Sequence, residues 1–398
     1  MARLNIYDRR ERMLVGAADR ALQAAAAVVR PLRRRHPPAA PGRILLVRLE
    51  RIGDLLMTLA AIGDVRRLVP EAEIDLVVGT WNAALAKTIR GVTRVRTLDA
   101  AWLAREEGGL GLASLARAAR AWRADHYDLA INFEPDIRSN LLVAMSGARW
   151  TAGYRSGGGG ALLDLALDYD NSAHTTDNAR RLVARALGAP ESRSAPPAAP
   201  IVIPEAARAE AARRIAGARG PLVGLHASGG RAVKQWDVDR FAEVARRLVA
   251  ERGATIVLTG SAGDRPLVDR LKRELPADRA IDVSGALDLV ELAALVAELD
   301  LLVTGDTGPM HIAAAMATPI VAVFGPSDPA RYGPRGPLDR IVRVDLPCSP
   351  CNRIRLPPAR CIGHTPDCLA LVGVDSVFAA AVSVLDAAES GRASGARA

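Results

Sequence analysis

Aromatic residues make up only 4% of this 398-residue chain. That leaves little from which to build a stacking platform for single-stranded nucleic acid. Lysine is scarcer still: Lys87, Lys234 and Lys272 stand against fifty arginines. Cysteine occurs four times, always between residues 348 and 368, so no disulfide framework spans the chain. No apolar run approaches the ~20 residues a membrane-spanning helix needs. Neither a G-x-G-x-x-G dinucleotide fingerprint nor a Walker A loop occurs. What remains is 49% hydrophobic and 24% charged, the balance of a globular chain long enough for two domains.

The net charge of +9 is localised. Residues 1–43 hold ten arginines against Asp8, Glu11 and Asp19, so the rest of the chain is close to neutral. A nucleic-acid-binding body would instead carry a basic face. Leu14, Ala18, Ala21, Leu22, Ala25, Val28, Val29 and Leu32 fall at helical spacing, flanked by Arg9, Arg12, Arg20 and Arg30 and followed by Arg33–Arg35. The segment reads as a basic amphipathic helix, ended by the Pro-rich stretch 36–41. Two destinations fit it: an anionic membrane surface, or docking on the body or a second subunit.

From residue 43 short β-rich runs alternate with helical patterns, the signature of a parallel sheet covered on both faces. Strands are expected at 43–49, 74–79, 94–98 and 128–133, with one helix over 54–69. A Pro- and Ala-rich linker at 188–204 separates a second series: strands at 221–226, 255–260, 280–283, 301–305 and 320–324, and helices at 237–252, 264–275, 288–298, 309–316 and 375–388. The expected plan is thus a basic helix and linker (1–42), a first α/β domain (43–200), a second (201–388) and a disordered tail (389–398).

Three segments at strand exits carry polar chemistry, where α/β sheets bind ligands. In Glu50-Arg51-Ile52-Gly53-Asp54, the aspartate is either a helix cap or a general base for a hydroxyl. In His226–Trp236, Ser228, Arg231 and Lys234 surround a Gly pair, a clamp suited to phosphate, or else a loop with solvated cations. In Thr304–His311, the amides of Thr307, Gly308 and Met310 open a helix and suit an anion; Asp306 would orient the loop or meet a substrate hydroxyl. The D-x-D triplets at 168–170 and 237–239 do not rise above chance. The spacing Cys348-x2-Cys351-x9-Cys361-x6-Cys368 leaves either a zinc site or a thiol-rich loop, and no metal ligand is assigned.

Taken together, RILLVRLERIGDLLMTLAAIGDVRRLVPEAEIDLVVG, LHASGGRAVKQW and LLVTGDTGPMHIAAAMATPIVAVFGPSDP resemble glycosyltransferase family 9, the heptosyltransferases, over residues 43–388. The resemblance implies a GT-B fold: two doubly wound Rossmann-like domains facing a cleft, acceptor domain first and nucleotide-sugar domain second. It implies metal-independent, inverting transfer of heptose from ADP-L-glycero-D-manno-heptose to the lipopolysaccharide core, with no cofactor. Asp54 would be the base. Ser228, Lys234, Asp306, Thr307 and Gly308 would hold the donor, joined by Arg231 and His311. Gly53, Glu134 and Arg138 lie where acceptor contacts are expected. The enzyme would then be cytoplasmic and peripheral on the inner membrane, met through residues 1–40. The Glu50-Arg51 pair and the 42-residue extension depart from the family's usual pattern. A nucleotide-sugar epimerase or hydrolase, and a non-catalytic membrane-recruited sugar-nucleotide binder, are the alternatives.

Overall fold

A computed structural model describes residues 4, 6, 8–29, 36–103, 109–191 and 200–395. The chain divides into two compact units, Met1–Pro200 and Ile201–Ala398. Arg30, Leu32, Arg33–Arg35 and residues 192–199 of the interdomain linker lie outside the described residues.

The first unit is a six-stranded sheet of β1 (Arg43–Val47), β2 (Glu73–Val78), β3 (Arg94–Thr97), β4 (Leu129–Asn132), β5 (Trp150–Tyr154) and β6 (Leu165–Leu167). The order is β3-β2-β1-β4-β5-β6 and every pairing is parallel. The Ile-Leu-Leu-Val run of β1 is wholly buried because β1 is central and both its faces are covered. The second unit repeats the plan with β7 (Leu222–His226), β8 (Thr255–Leu258), β9 (Ala280–Asp282), β10 (Leu301–Gly305), β11 (Ile320–Val323) and β12 (Arg340–Val342). Its order is β12-β11-β10-β7-β8-β9, again all parallel.

Each order reverses direction once, between β1 and β4 and between β7 and β10. In a doubly wound sheet the connections diverge there, leaving a crevice beyond the strand ends. This fixes where each unit's ligand chemistry must be sought.

Three details differ from the sequence reading. The helix expected over 54–69 is two, Ile52–Leu56 and Leu59–Leu68. The break is made by Thr58, whose hydroxyl bonds the Asp54 carbonyl at 2.8 Å while its amide bonds the Leu55 carbonyl at 2.9 Å. Strands β5, β6 and β12 were not anticipated. The last helix runs over Val374–Gly395, where a tail from 389 was expected to be disordered. No proline stops it, and Arg252 pairs with Asp386 (2.6 Å) and Glu389 (3.7 Å) to extend its docking.

The N-terminal helix, Arg9–Val29, docks on the first unit. The Asp19 carboxylate accepts from the Gly159 amide at 2.8 Å, and Glu11 faces Arg138 at 3.6 Å. Its inward line is Val15, Asp19, Leu22 and Ala26. Of the apolar stripe read from sequence, Leu14, Ala18, Ala21, Ala25 and Val28 remain exposed, Leu14 at 73%. Docking and an outward apolar line therefore coexist on one helix. No helix among the described residues is long and apolar enough to cross a membrane.

Candidate functional site

At the exit of β1 the chain turns into the Ile52–Leu56 helix. Arg51, not Asp54, is its N-cap residue, so the capping role left open for Asp54 does not apply. Asp54 lies inside the first turn, and its carboxylate pairs with the Arg48 guanidinium at 3.3 Å. Arg48 is buried. Its remaining N–H groups reach the Phe133 carbonyl (2.5 Å), the Asp54 carbonyl (3.2 Å) and the Glu50 carboxylate (3.1 Å). Burial opposes its charge, yet Glu50, Asp54 and Glu134 outweigh that and raise its pKa.

Glu134 follows β4 across the switch point and is 1% exposed. Its carboxylate is turned inward, accepting from the amides of Leu49 and Glu50. Through these bonds it holds the β1 exit in place. Burial raises its pKa, and the Arg48 charge and the two amides offset part of the rise. Arg138 is held bidentately by Asp136 and sits 4.7 Å over the Trp102 ring. Gly53 is buried in the first helical turn. The loop carrying Glu134–Asp136 is pressed by Gly157, where a Cβ would come 1.7 Å from the Pro135 carbonyl oxygen. Only glycine permits that approach.

In the second unit, the segment after β7 folds into a short turn at Ala232–Lys234. Gly229 is required there, because a Cβ would meet the Gln235 amide nitrogen at 2.7 Å. Trp236 anchors the loop: it is buried, stacks edge-on with Phe241 at 4.8 Å and donates to the Val372 carbonyl. Lys234 then reaches the switch point, where its Nζ lies 2.7 Å from the Asp306 carboxylate; the two side chains are 20% and 10% exposed. Burial works against the Asp306 charge, but Lys234, His311 and a hydrogen bond from Ser327 prevail and lower its pKa.

Thr307 caps the Gly308–Met316 helix, its hydroxyl 3.1 Å from that of Thr304. Pro309 in the first turn is preset for a helix start. Ser228 hydrogen-bonds Asp264 and accepts from the Gly230 amide at 3.4 Å. Arg231 is exposed. His226 is buried against the Thr259 hydroxyl at 3.1 Å, and burial pushes its pKa down to about 4. Lys234, Asp306, Thr307, Gly308 and His311 thus gather at one strand-exit pair; Ser228 belongs to a neighbouring Asp264 cluster.

Arg48, Ser327 and Asp264 were missed from sequence. Arg48 had a signal: a charge following the apolar run Ile44–Val47 at a central strand exit. Ser327 and Asp264 had none beyond lying after strands. All four cysteines are free, and burial raises the Cys368 thiol to about 11. Among the described residues no group of three or more His, Cys, Asp or Glu side chains could hold a metal ion. Of the D-x-D triplets, Asp168 pairs with Arg155 and Asp237 caps its helix through the amides of Asp239 and Arg240.

Two doubly wound units in tandem, one with a paired carboxylate and one with a lysine at a helix start, define an enzyme of the GT-B glycosyltransferase class. Residues 115–358 match the sequence profile of Glycosyltransferase family 9 (heptosyltransferase), and the chain belongs to that family. It is 28% identical over 330 residues to lipopolysaccharide heptosyltransferase 1 of Pseudomonas aeruginosa, covering 78% of this chain and 86% of that protein. It is 25% identical over 311 residues to lipopolysaccharide core heptosyltransferase OpsX of Haemophilus influenzae, covering 77% and 85%. Among solved structures, ADP-heptose lps heptosyltransferase II of E. coli shares the fold at a TM-score of 0.71 and 20% identity, over 87% of this chain and 99% of that one. Membership decides for a glycosyltransferase over the epimerase and the non-catalytic binder.

Proposed function

We propose that this enzyme transfers heptose from ADP-L-glycero-D-manno-heptose to a lipopolysaccharide-core acceptor, inverting the anomeric configuration without metal or cofactor. The observation that carries this reading is the polar chemistry at the two switch points: Asp54 on Arg48 in the first unit, Lys234 on Asp306 beside a helix start in the second. The names of the relatives support heptose, ADP and the lipopolysaccharide core.

In this reading Asp54 takes the proton of an acceptor hydroxyl. The oxygen bonds the anomeric carbon from the face opposite the diphosphate. The bond from that carbon to the diphosphate oxygen breaks, and ADP leaves with the electron pair. Lys234, joined by Arg231 and the amides of Thr307 and Gly308, takes up the developing charge. Arg138 and Gly53 belong to the acceptor side. Calorimetric titration with ADP-heptose and with UDP-, GDP- and CMP-sugars tests the donor. ADP-heptose should bind at least tenfold more tightly than the rest, and its transfer product should carry the inverted linkage. Tighter binding of another nucleotide sugar would refute the donor.

The exposed Leu14-Ala18-Ala21-Ala25-Val28 line and the arginines beside it support peripheral binding to the inner face of the cytoplasmic membrane. The full chain should sediment with anionic vesicles, and a chain lacking residues 1–40 should not. Equal sedimentation of both would remove the helix from this role.

A further inference from the structure

We propose that Glu50, in its protonated form, is a second acceptor-binding carboxyl that donates a hydrogen bond to a sugar oxygen beside the hydroxyl facing Asp54. This rests on the transfer reading above.

The geometry of charge at the β1 exit leads here. One buried guanidinium, Arg48, serves three carboxyls: Glu50, Asp54 and Glu134. Neighbouring groups at this centre have other contacts among the described residues. Asp136 is satisfied by Arg138. Arg51 points its guanidinium to the Leu103 carbonyl at 3.2 Å. Tyr169 contributes no positive charge. If all three carboxyls were ionised, three negative charges would stand against the one guanidinium of Arg48 in a place only partly open to water.

The three are not equally supported. Glu134 accepts two backbone amides. Asp54 has the Arg48 terminal N–H and lies in the first turn of a helix, where negative charge is favoured. The Glu50 carboxylate pairs with Arg48 through an N–H group shared with the Phe133 carbonyl. It is therefore the carboxyl that keeps its proton most readily. Burial and then Asp54 push its pKa well above the usual carboxylate range.

Glu50 is also held to a fixed place. Its amide donates to Glu134 at 3.0 Å, and its carbonyl accepts from Trp81 Nε1 (3.0 Å) and Asn82 Nδ2 (2.9 Å). Such clamping of backbone on both sides is more than a solvated surface glutamate needs. The side chains of Glu50 and Asp54 each keep 28% exposure, four residues apart across one turn of chain. A sugar brings adjacent oxygens to that place. An ionised carboxylate only accepts hydrogen bonds, and two of them repel the oxyanion forming at the nucleophile. A neutral Glu50 donates one instead and leaves the negative charge to Asp54. The proton on Glu50 stays there through the reaction; the proton from the acceptor goes to Asp54.

The test compares Glu50→Ala and Glu50→Gln with the natural chain, using ADP-heptose as donor and heptose-free inner-core oligosaccharide as acceptor. Alanine should raise the acceptor KM at least tenfold and leave the donor KM within twofold. Glutamine, neutral and a donor, should recover most of that loss near neutral pH. The natural enzyme should lose kcat/KM for the acceptor as pH rises above neutral, and glutamine should abolish that decline. In the free protein, the infrared band of a protonated carboxyl near neutral pH should be lost in Glu50→Gln. Equal impairment by Ala and Gln, an alkaline decline that persists in Gln, or an unchanged infrared band would each overturn the proposal. Asp54→Asn run in parallel separates the two readings. If that variant still transfers, the base assignment fails; the infrared result judges Glu50 regardless.

Discussion

Replacing Lys234 with methionine should perturb two quantities at once: stability, through its pair with Asp306, and donor affinity, through the proposed clamp. The Nζ sits 2.7 Å from a mostly buried Asp306. Methionine keeps the length of the side chain and removes the charge. Breaking a buried pair by deleting one partner costs ~3–5 kcal/mol. Here Ser327 and His311 still support Asp306, so about 2–3 kcal/mol is expected. In the proposed clamp the same substitution would also remove a charge-assisted hydrogen bond to the donor diphosphate, ~1.5–3 kcal/mol. That corresponds to roughly 10- to 100-fold in affinity. Thermal unfolding and calorimetric titration with ADP read the two effects separately. Combining the substitution with Asp306→Asn should recover at least ~1 kcal/mol of the stability loss, because no buried charge is then stranded. A Lys234→Met protein that binds ADP as tightly and melts at the same temperature would refute both the clamp and the pair.

Three further outcomes follow from the packing. His226 is pushed down to about 4 by burial, while an unfolded histidine titrates near 6.5. The unfolded chain therefore binds the extra proton in that window, so the second unit loses stability as pH falls from about 6.5 to about 4, by at most ~3 kcal/mol. His226→Asn should flatten that slope, and an unflattened slope would assign it to other groups. Gly157→Ala would force a Cβ to 1.7 Å from the Pro135 carbonyl oxygen, and a ~3 kcal/mol loss or failure to fold is expected. Gly188→Ala, at φ 63° in open space, should cost only ~1 kcal/mol, both variants being read by denaturant titration; equal losses would show that the Gly157 contact does not decide the outcome.

The central strands were legible because burial on both faces writes them as continuous apolar runs: Ile44–Val47, Leu301–Val303, Ile320–Val323. Strands β5, β6 and β12 were not, since Trp150–Tyr154 alternates with small residues and the other two are three residues long. The break at Thr58 was hidden because apolar spacing continues through it. The gathering of Lys234, Asp306, Thr307 and His311 was readable, as polar groups packed into two short strand exits. The first site was only half readable. Asp54 stands beside its strand, but the pairing of Arg48 with Phe133, and of Glu134 with Leu49, joins positions 85 residues apart. No local pattern encodes such a contact. The docking of the first helix through Asp19 and Gly159 is longer-range still.

Asp54 as the proton acceptor is the claim on which the transfer reading stands. Sugar transfer by Asp54→Asn, measured beside its affinity for ADP-heptose, tests it most directly. A general base contributes ~10²–10⁴ in rate, so transfer should fall by at least 100-fold while donor affinity stays within threefold. Transfer within tenfold of the natural enzyme would contradict the account.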